Sequence, residues 1–328
     1  MNDQMLKNCT LLTDNRELVK SVFTWDSGLM HLACAAIYVS KGKQVNVPVL
    51  RECKELLSQK VGVFSNFRST ARSPIVSMLA VSEDPERTLK DGLQVYQLLK
   101  KEFWSSSYLP LTAMVIAQMA NPSQYESIAS RTKKIYNLLK SNHPFLTSQE
   151  DSANCALLAL SDKPDHELIN DMESCYQLLR PNFFSSNAIQ SLSHVLALDQ
   201  GNVAEKCKKT MELFNGLKYE GYKYGTYYEL PTLGVLALID GSKEKMIKEI
   251  IEVNNWLSHQ KGFGFFSSIS TKQRLMYAGI VTQLEYMNTN LMESTVVNST
   301  ISLIIAQNTA MCAAITASTA AAASTSAT

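Results

Sequence analysis

The sequence lacks the signatures by which many enzymes identify themselves. It has no P-loop, no dinucleotide-binding glycine pattern and no nucleophile elbow. Its five histidines form no H-E-x-x-H pair and share no metal-ligand spacing with the seven cysteines, so neither a metal nor a cofactor is expected. The cysteines are odd in number and form no C-x-x-C pair. Cys34, Cys155, Cys175 and Cys207 fall within apolar helical patterns, which reads as free, buried thiols in a reducing, cytoplasmic setting. A basic excess is also missing. With a formal net charge of +1, the chain has no surplus of cations to neutralise phosphates, and nucleic acid is excluded as a partner. The first residues, "MNDQMLKNCTLLTDNRELVK", show no apolar run behind a basic head, so no signal peptide is expected. No β-strand is expected; "KQVNVPVL" is the nearest candidate and is short.

What the sequence does contain is a period. The segments "KELLSQ", "YQLLKK", "YNLLKS", "YQLLRP", "FNGLKY" and "NNWLSH" align on Leu57, Leu99, Leu139, Leu179, Leu217 and Leu257, at steps of 38 to 42 residues. A second series runs between them: Leu79-Ala80, Ile116-Ala117, Leu158-Ala159, Leu196-Ala197 and Leu236-Ala237. A fixed spacing in this range marks stacked supersecondary units. Leu89, Leu93, Tyr96 and Leu99 lie on one face of a helix, as do Cys207, Met211, Phe214 and Leu217. The second helix of each unit, as in "LPLTAMVIAQMA" and "LPTLGVLALI", is apolar most of the way round and so is expected inside. Clusters such as "SEDPE", "NPSQ", "SDKPD" and "DQGN" separate the units.

The expected fold is therefore all-α: about six α/α hairpins of roughly 40 residues, stacked as an open superhelix or, alternatively, closed into an α/α toroid. The expected domains are an N-terminal helical cap over 1–45, the hairpin repeats over 46–284, and a C-terminal helix with a disordered end over 285–328. Residues 16–40 are read as one amphipathic helix. After Glu293 no charged residue appears through Thr328. That tail is expected to cap the last hairpin or pair with its mate in a homodimer, with membrane contact as the alternative.

The succession "FSNFRSTARSPIVSMLA", "YLPLTAMVIA", "DSANCALLALSDKPD", "FFSSNAIQSLSHVLAL" and "LPTLGVLAL" resembles a helical family of about 300–340 residues. That family is found mainly in Gram-positive bacteria and is known only as a domain of unknown function. The resemblance implies a bacterial, cytoplasmic protein and transfers no catalytic residues.

Four polar or aromatic groupings are candidate sites. Each hairpin turn carries an aromatic followed by Ser or Thr. Phe64, Phe103, Trp104, Phe183, Phe184, Tyr224, Phe265 and Phe266 could form an aromatic rim, or could simply staple each turn while the hydroxyl caps the next helix. Arg68 and Arg72 precede Ser73-Pro74, with Ser73 expected as N-cap and Pro74 at the first helical position. This arrangement can hold an anion, unless the arginines pair with Glu83 or Asp84. Asn187, Gln190 and His194 form a polar strip on an otherwise apolar helix, and His31 is a similar lone polar residue. Glu150, Asp151 and Glu229 near helix starts could act as an acid–base pair, or could merely complement the helix dipole. The preferred function is a non-catalytic binding or scaffold module for a protein or small-molecule partner. The alternative is a toroid enzyme acting on a carbohydrate or an apolar chain.

Overall fold

A computed structural model of the chain describes residues 1–264 and 267–290. The uncharged tail, Phe265 and Phe266 lie outside these. Among the described residues the regular structure is entirely helical. The α-helices are α1 Asp3–Val22, α2 Gly28–Val39, α3 Val47–Lys60, α4 Arg72–Val81, α5 Pro85–Glu102, α6 Leu109–Met119, α7 Tyr125–Asn142, α8 Ser152–Leu160, α9 Asp165–Leu179, α10 Ser186–Ala197, α11 Val203–Tyr219, α12 Leu230–Leu238, α13 Lys243–Ser258 and α14 Thr271–Asn290.

Local chemistry explains most of the boundaries. Side chains of Asn46, Asp84, Ser185, Asn202 and Ser242 each accept a backbone N–H in the first turn of α3, α5, α10, α11 and α13. "KQVNVPVL" is thus a helix start, with Asn46 as cap and Pro48 in the first turn. The single helix expected over residues 16–40 is in fact two. Ser27 accepts the Met30 N–H at 3.1 Å and opens α2, so the chain turns at Trp25-Asp26-Ser27 and the "LMHLACAAIYV" stretch becomes a separate buried helix.

Contacts divide the chain into two compact units: Asn15–Asp165, and Met1–Asp14 with the described part of His166–Gln307. Within the first, α3 packs on α4, α5 on α6 and α7 on α8. Neighbouring pairs then join through α2, α4, α6 and α8 on one side and α3, α5 and α7 on the other. Within the second, α11 packs on α12 and α13 on α14, with α10, α12 and α14 adjoining and α11 beside α13. In the second unit, too, the chain's first turn is held by the last helices. The N-terminal ammonium meets Glu252, and Asn2 Nδ2 donates to Glu285 Oε1 at 2.7 Å.

Burial follows the periodic pattern. Leu57, Leu99, Leu139, Leu179, Leu217 and Leu257 are all buried, as are Leu79, Ile116, Leu158, Leu196 and Leu236. The more apolar helices are buried nearly all round: in α4, α6, α8 and α12 almost every side chain is enclosed. Close approach of such helices needs small residues. A Cβ on Gly234 in α12 would lie 2.5 Å from Leu192 Cδ1 of α10. Gly234→Ala is therefore expected to destabilise the protein by about 1–2 kcal/mol, the clash outweighing the helix-propensity gain. Urea unfolding measures this, and a stabilised variant would show that α10 can retreat at no cost.

Long cationic side chains close the ends of the inner helices. Lys206 Nζ, almost fully buried, donates to Asp199 O at 2.8 Å just past α10. Lys243 Nζ donates to Ile239 O at 2.6 Å and Leu236 O at 3.2 Å at the end of α12. Burial pulls the Lys243 ammonium down to about 8. In each case a carbonyl left over by a helix C-terminus receives a charge-assisted donor.

Candidate functional site

Four helix-to-helix turns of the Asn15–Asp165 unit lie along one edge, and side chains tie each to the next. The α1–α2 turn places Phe23 under Arg72 at the start of α4, the guanidinium carbon 5.7 Å from the ring centre. In the α3–α4 turn, Asn66 Nδ2 donates to Ser105 Oγ of the α5–α6 turn at 2.8 Å and to Tyr96 Oη at 3.2 Å. At the next junction Thr112 Oγ1 and Ser152 Oγ share a buried 2.9 Å hydrogen bond between the starts of α6 and α8.

The turns divide their aromatic rings between two tasks. One ring packs inward as the staple. Phe67 meets Tyr96 edge-on at 5.1 Å and Phe103 meets Tyr136 at 5.3 Å. Phe23 is buried and its carbonyl accepts a hydrogen bond from His31 Nε2 at 2.7 Å. In these turns a second ring is left in solvent, Trp25 being 98% exposed, Phe64 101% and Trp104 86%, and the single ring of the α7–α8 turn, Phe145, is 99% exposed. The second unit repeats the division at the α9–α10 turn. There Phe183 packs edge-on against Phe214 at 5.0 Å while Phe184 is fully exposed.

The rim as read from the sequence therefore needs correcting. Phe64, Trp104 and Phe184 stand in solvent; Phe103, Phe183 and Tyr224 are buried and cannot line a surface. Two consecutive aromatics at a chain reversal cannot both face the core. Trp25 and Phe145 are equally exposed, and of the two only the turn of Trp25 was unexpected. Trp25 was hidden by the reading of residues 16–40 as one helix. Phe145 sits in a turn whose position the period does locate.

The arginine pair also differs from expectation. Helix α4 begins at Arg72, with Ala71 in the cap position and no side-chain cap. Ser73 lies inside the helix and is buried, because the Asn66–Arg68 3-10 turn and a further turn over residues 69–71 bring the chain into α4 at Arg72. Among the described residues no ion pair includes Arg68 or Arg72. Glu83 and Asp84 follow the far end of α4, and Asp84 instead caps α5 through the Arg87 N–H at 2.9 Å.

The acidic residues near helix starts are engaged in local structure. Ser148 and Asp151 form a reciprocal capping box, the Ser148 N–H donating to Asp151 Oδ2 at 2.8 Å. Asp151 is nonetheless buried. Burial pushes its carboxyl up to about 7, the Ser148 hydrogen bond opposing and the Glu150 charge reinforcing the rise. Glu229 accepts the Tyr227 N–H at 3.2 Å and folds over Gly225, where any Cβ would collide with it. Gln190 and His194 are buried within α10, whereas Asn187 at its start is exposed, so the expected strip is split between interior and surface. Among the described residues no three His, Cys, Asp or Glu side chains are grouped to hold a metal ion, and no helix is long and apolar enough to cross a membrane.

These features define an all-helical protein of paired, stacked helices with an aromatic-tipped edge on its Asn15–Asp165 unit. The chain belongs to the protein family of unknown function DUF4003, whose model matches residues 15–310. It is similar to the uncharacterized protein YeaA of Bacillus subtilis (strain 168), with 25% identity over 303 residues covering 90% of this chain and 89% of the relative. No solved structure matches it.

Proposed function

We propose that this chain is a non-catalytic binding module built as an α/α hairpin repeat, and that the turn edge of the Asn15–Asp165 unit is its binding surface. One observation carries the reading. In that unit the exposed large apolar side chains, Trp25, Val63, Phe64, Trp104 and Phe145, all belong to these turns. Scattered single exposures are ordinary on a protein surface, but confinement to one edge marks an interaction site. Hairpin repeats supply such an edge because successive units bring equivalent turns side by side. The buried, free state of the six described cysteines supports a reducing, cytoplasmic compartment.

The test uses Trp25→Ser, Phe64→Ser, Trp104→Ser and Phe145→Ser combined in the full chain. These rings touch little, so the variant should keep the helical circular dichroism and melting temperature of the parent. It is expected to lose whatever soluble or membrane fraction of a cell lysate the parent retains, and neither protein should turn over substrate in a broad hydrolase screen. Turnover by the parent that disappears in Asp151→Asn would overturn the non-catalytic reading.

A further inference from the structure

We propose that the aromatic-tipped edge of the Asn15–Asp165 unit docks on the surface of an anionic lipid bilayer. The proposal rests on the reading of this edge as the binding surface and names its partner.

Ring exposure is the first argument. Here the rings of Trp25, Phe64, Trp104 and Phe145 stand clear of their neighbours at the tips of four turns, and Val63 extends the second tip. Projecting rings need a soft partner into which they can sink. Trp and other aromatic side chains favour the boundary between headgroups and acyl chains, and shallow insertion of apolar groups there is how proteins lie on a membrane without crossing it. Neighbouring helices pack about 8–10 Å apart, so adjacent tips are offset by roughly that distance along the edge.

Charge is the second argument, and it is independent of the first. Cations crowd the same turns: Lys20 ends α1, Lys60 ends α3, Lys100 and Lys101 end α5, and Arg68 lies in the α3–α4 turn. Against them stand Asp26, Glu102 and Glu150. The opposite edge, where one hairpin passes to the next, carries exposed Glu83, Asp84, Glu86, Glu126 and Asp162 against exposed Lys41, Lys43 and Arg87, and none of the unit's exposed large apolar side chains. An anionic surface would favour the first edge, where cations outnumber acids, over the second, where acids outnumber cations, which sets one orientation. Basic residues next to an anionic leaflet each add to binding within about a Debye length, and Arg68, half-buried and in no ion pair among the described residues, adds a guanidinium to the same edge.

Co-sedimentation of the full chain with vesicles tests this. The protein is expected to bind phosphatidylglycerol–phosphatidylcholine vesicles, to bind phosphatidylcholine vesicles at least about tenfold more weakly, and to be released by salt. The emission of Trp25 and Trp104 should shift to the blue on binding. The four-ring variant should lose at least about tenfold in vesicle affinity at unchanged melting temperature. Lys60→Gln, Lys100→Gln and Lys101→Gln together should abolish the preference for phosphatidylglycerol. Inorganic phosphate should not compete at equal ionic strength; if it does, the cations form a free-phosphate site and the lipid proposal falls. Equal vesicle binding by the parent and the four-ring variant, with loss on truncation after Glu293, would assign membrane contact to the uncharged tail and also overturn it. If the parent ignores all vesicles yet loses a soluble partner in the four-ring variant, the lipid proposal fails while the binding-edge reading stands.

Discussion

Asp151→Asn is expected to stabilise the protein at pH 8 and to be nearly neutral at pH 4. Asp151 is buried, and its carboxyl is pushed up to about 7 from an ordinary 3.8. Below pH 4 the folded and unfolded states are both protonated at this residue, and the carboxyl costs nothing. Between about pH 4 and pH 7 the unfolded state ionises while the folded state holds its proton. Stability therefore falls as pH rises, and the loss levels off above 7. The accumulated loss is on the order of 4 kcal/mol. Asparagine cannot ionise, and its carbonyl oxygen can still accept the Ser148 N–H that Asp151 accepts at 2.8 Å. Urea unfolding of parent and variant at several pH values separates this slope from those of other carboxylates, because only the difference is read. Parallel stability curves for the two proteins would mean that Asp151 is ionised and well solvated in the folded state.

Arg131→Ala is expected to cost about 1–3 kcal/mol, the range for losing hydrogen bonds to a charged group in a partly buried cluster. Arg131 projects from α7 into the α8–α9 turn. Its Nε donates to Asp165 Oδ1 at 2.8 Å and its Nη1 to Ala159 O at 2.9 Å, with further bonds to Ser161 O and Lys163 O. Deletion would leave three carbonyls and a carboxylate without their shared donor. Lys134 also reaches Asp165 at 2.8 Å. Burial alone would raise the Asp165 carboxyl, but hydrogen bonds from Lys134 and Arg131 outweigh it and hold the group below its ordinary value. That contribution is present at neutral pH and is lost as pH falls through the depressed value, so the cost of Arg131→Ala should shrink on acidification. Arg131→Lys should recover only part of the loss, since an ammonium lacks the planar fork that reaches several acceptors at once. A cost below about 1 kcal/mol for Arg131→Ala would place this cluster among ordinary surface pairs.

The helices were legible in the sequence because their causes are local. The spacing of Leu89, Leu93, Tyr96 and Leu99 fits a helical face and nothing else, and Asp84-Pro85 announces the start of α5 with both a cap and a first-turn proline. The six periodic leucines are buried in the structure because the same helical face recurs in each. The candidate site was half legible. That the turns carry aromatics is plain from "FWSS" and "FFSS". Which ring of each pair faces inward is not, since Phe103 and Trp104 are both apolar and adjacent, and only the position of Tyr136 on α7 selects Phe103 for the interior. The Trp25 turn was missed because residues 16–40 carry apolar side chains on both sides of Asp26-Ser27-Gly28, and a three-residue turn signal was outweighed by the run around it.

By itself the sequence determined that this protein is all-helical, where its apolar faces recur and, the Trp25 turn apart, where its hairpins reverse, because helix periodicity, capping and turn chemistry act over a few residues. Only the tertiary structure decided the long-range pairings. Arg131 closes a turn some 30 residues away, and Lys206 and Lys243 thread back to seal the helix ends that precede them. Met1 and Asn2, just before α1, meet Glu252 and Glu285 near the other end of the described chain. Long flexible side chains can reach many acceptors, and their choice depends on which helix ends packing brings within reach. The separation of an aromatic edge with an excess of cations from one with an excess of acids has the same origin. Charges that alternate along the sequence are sorted in space because each helix reverses direction, so every second turn falls on the same side.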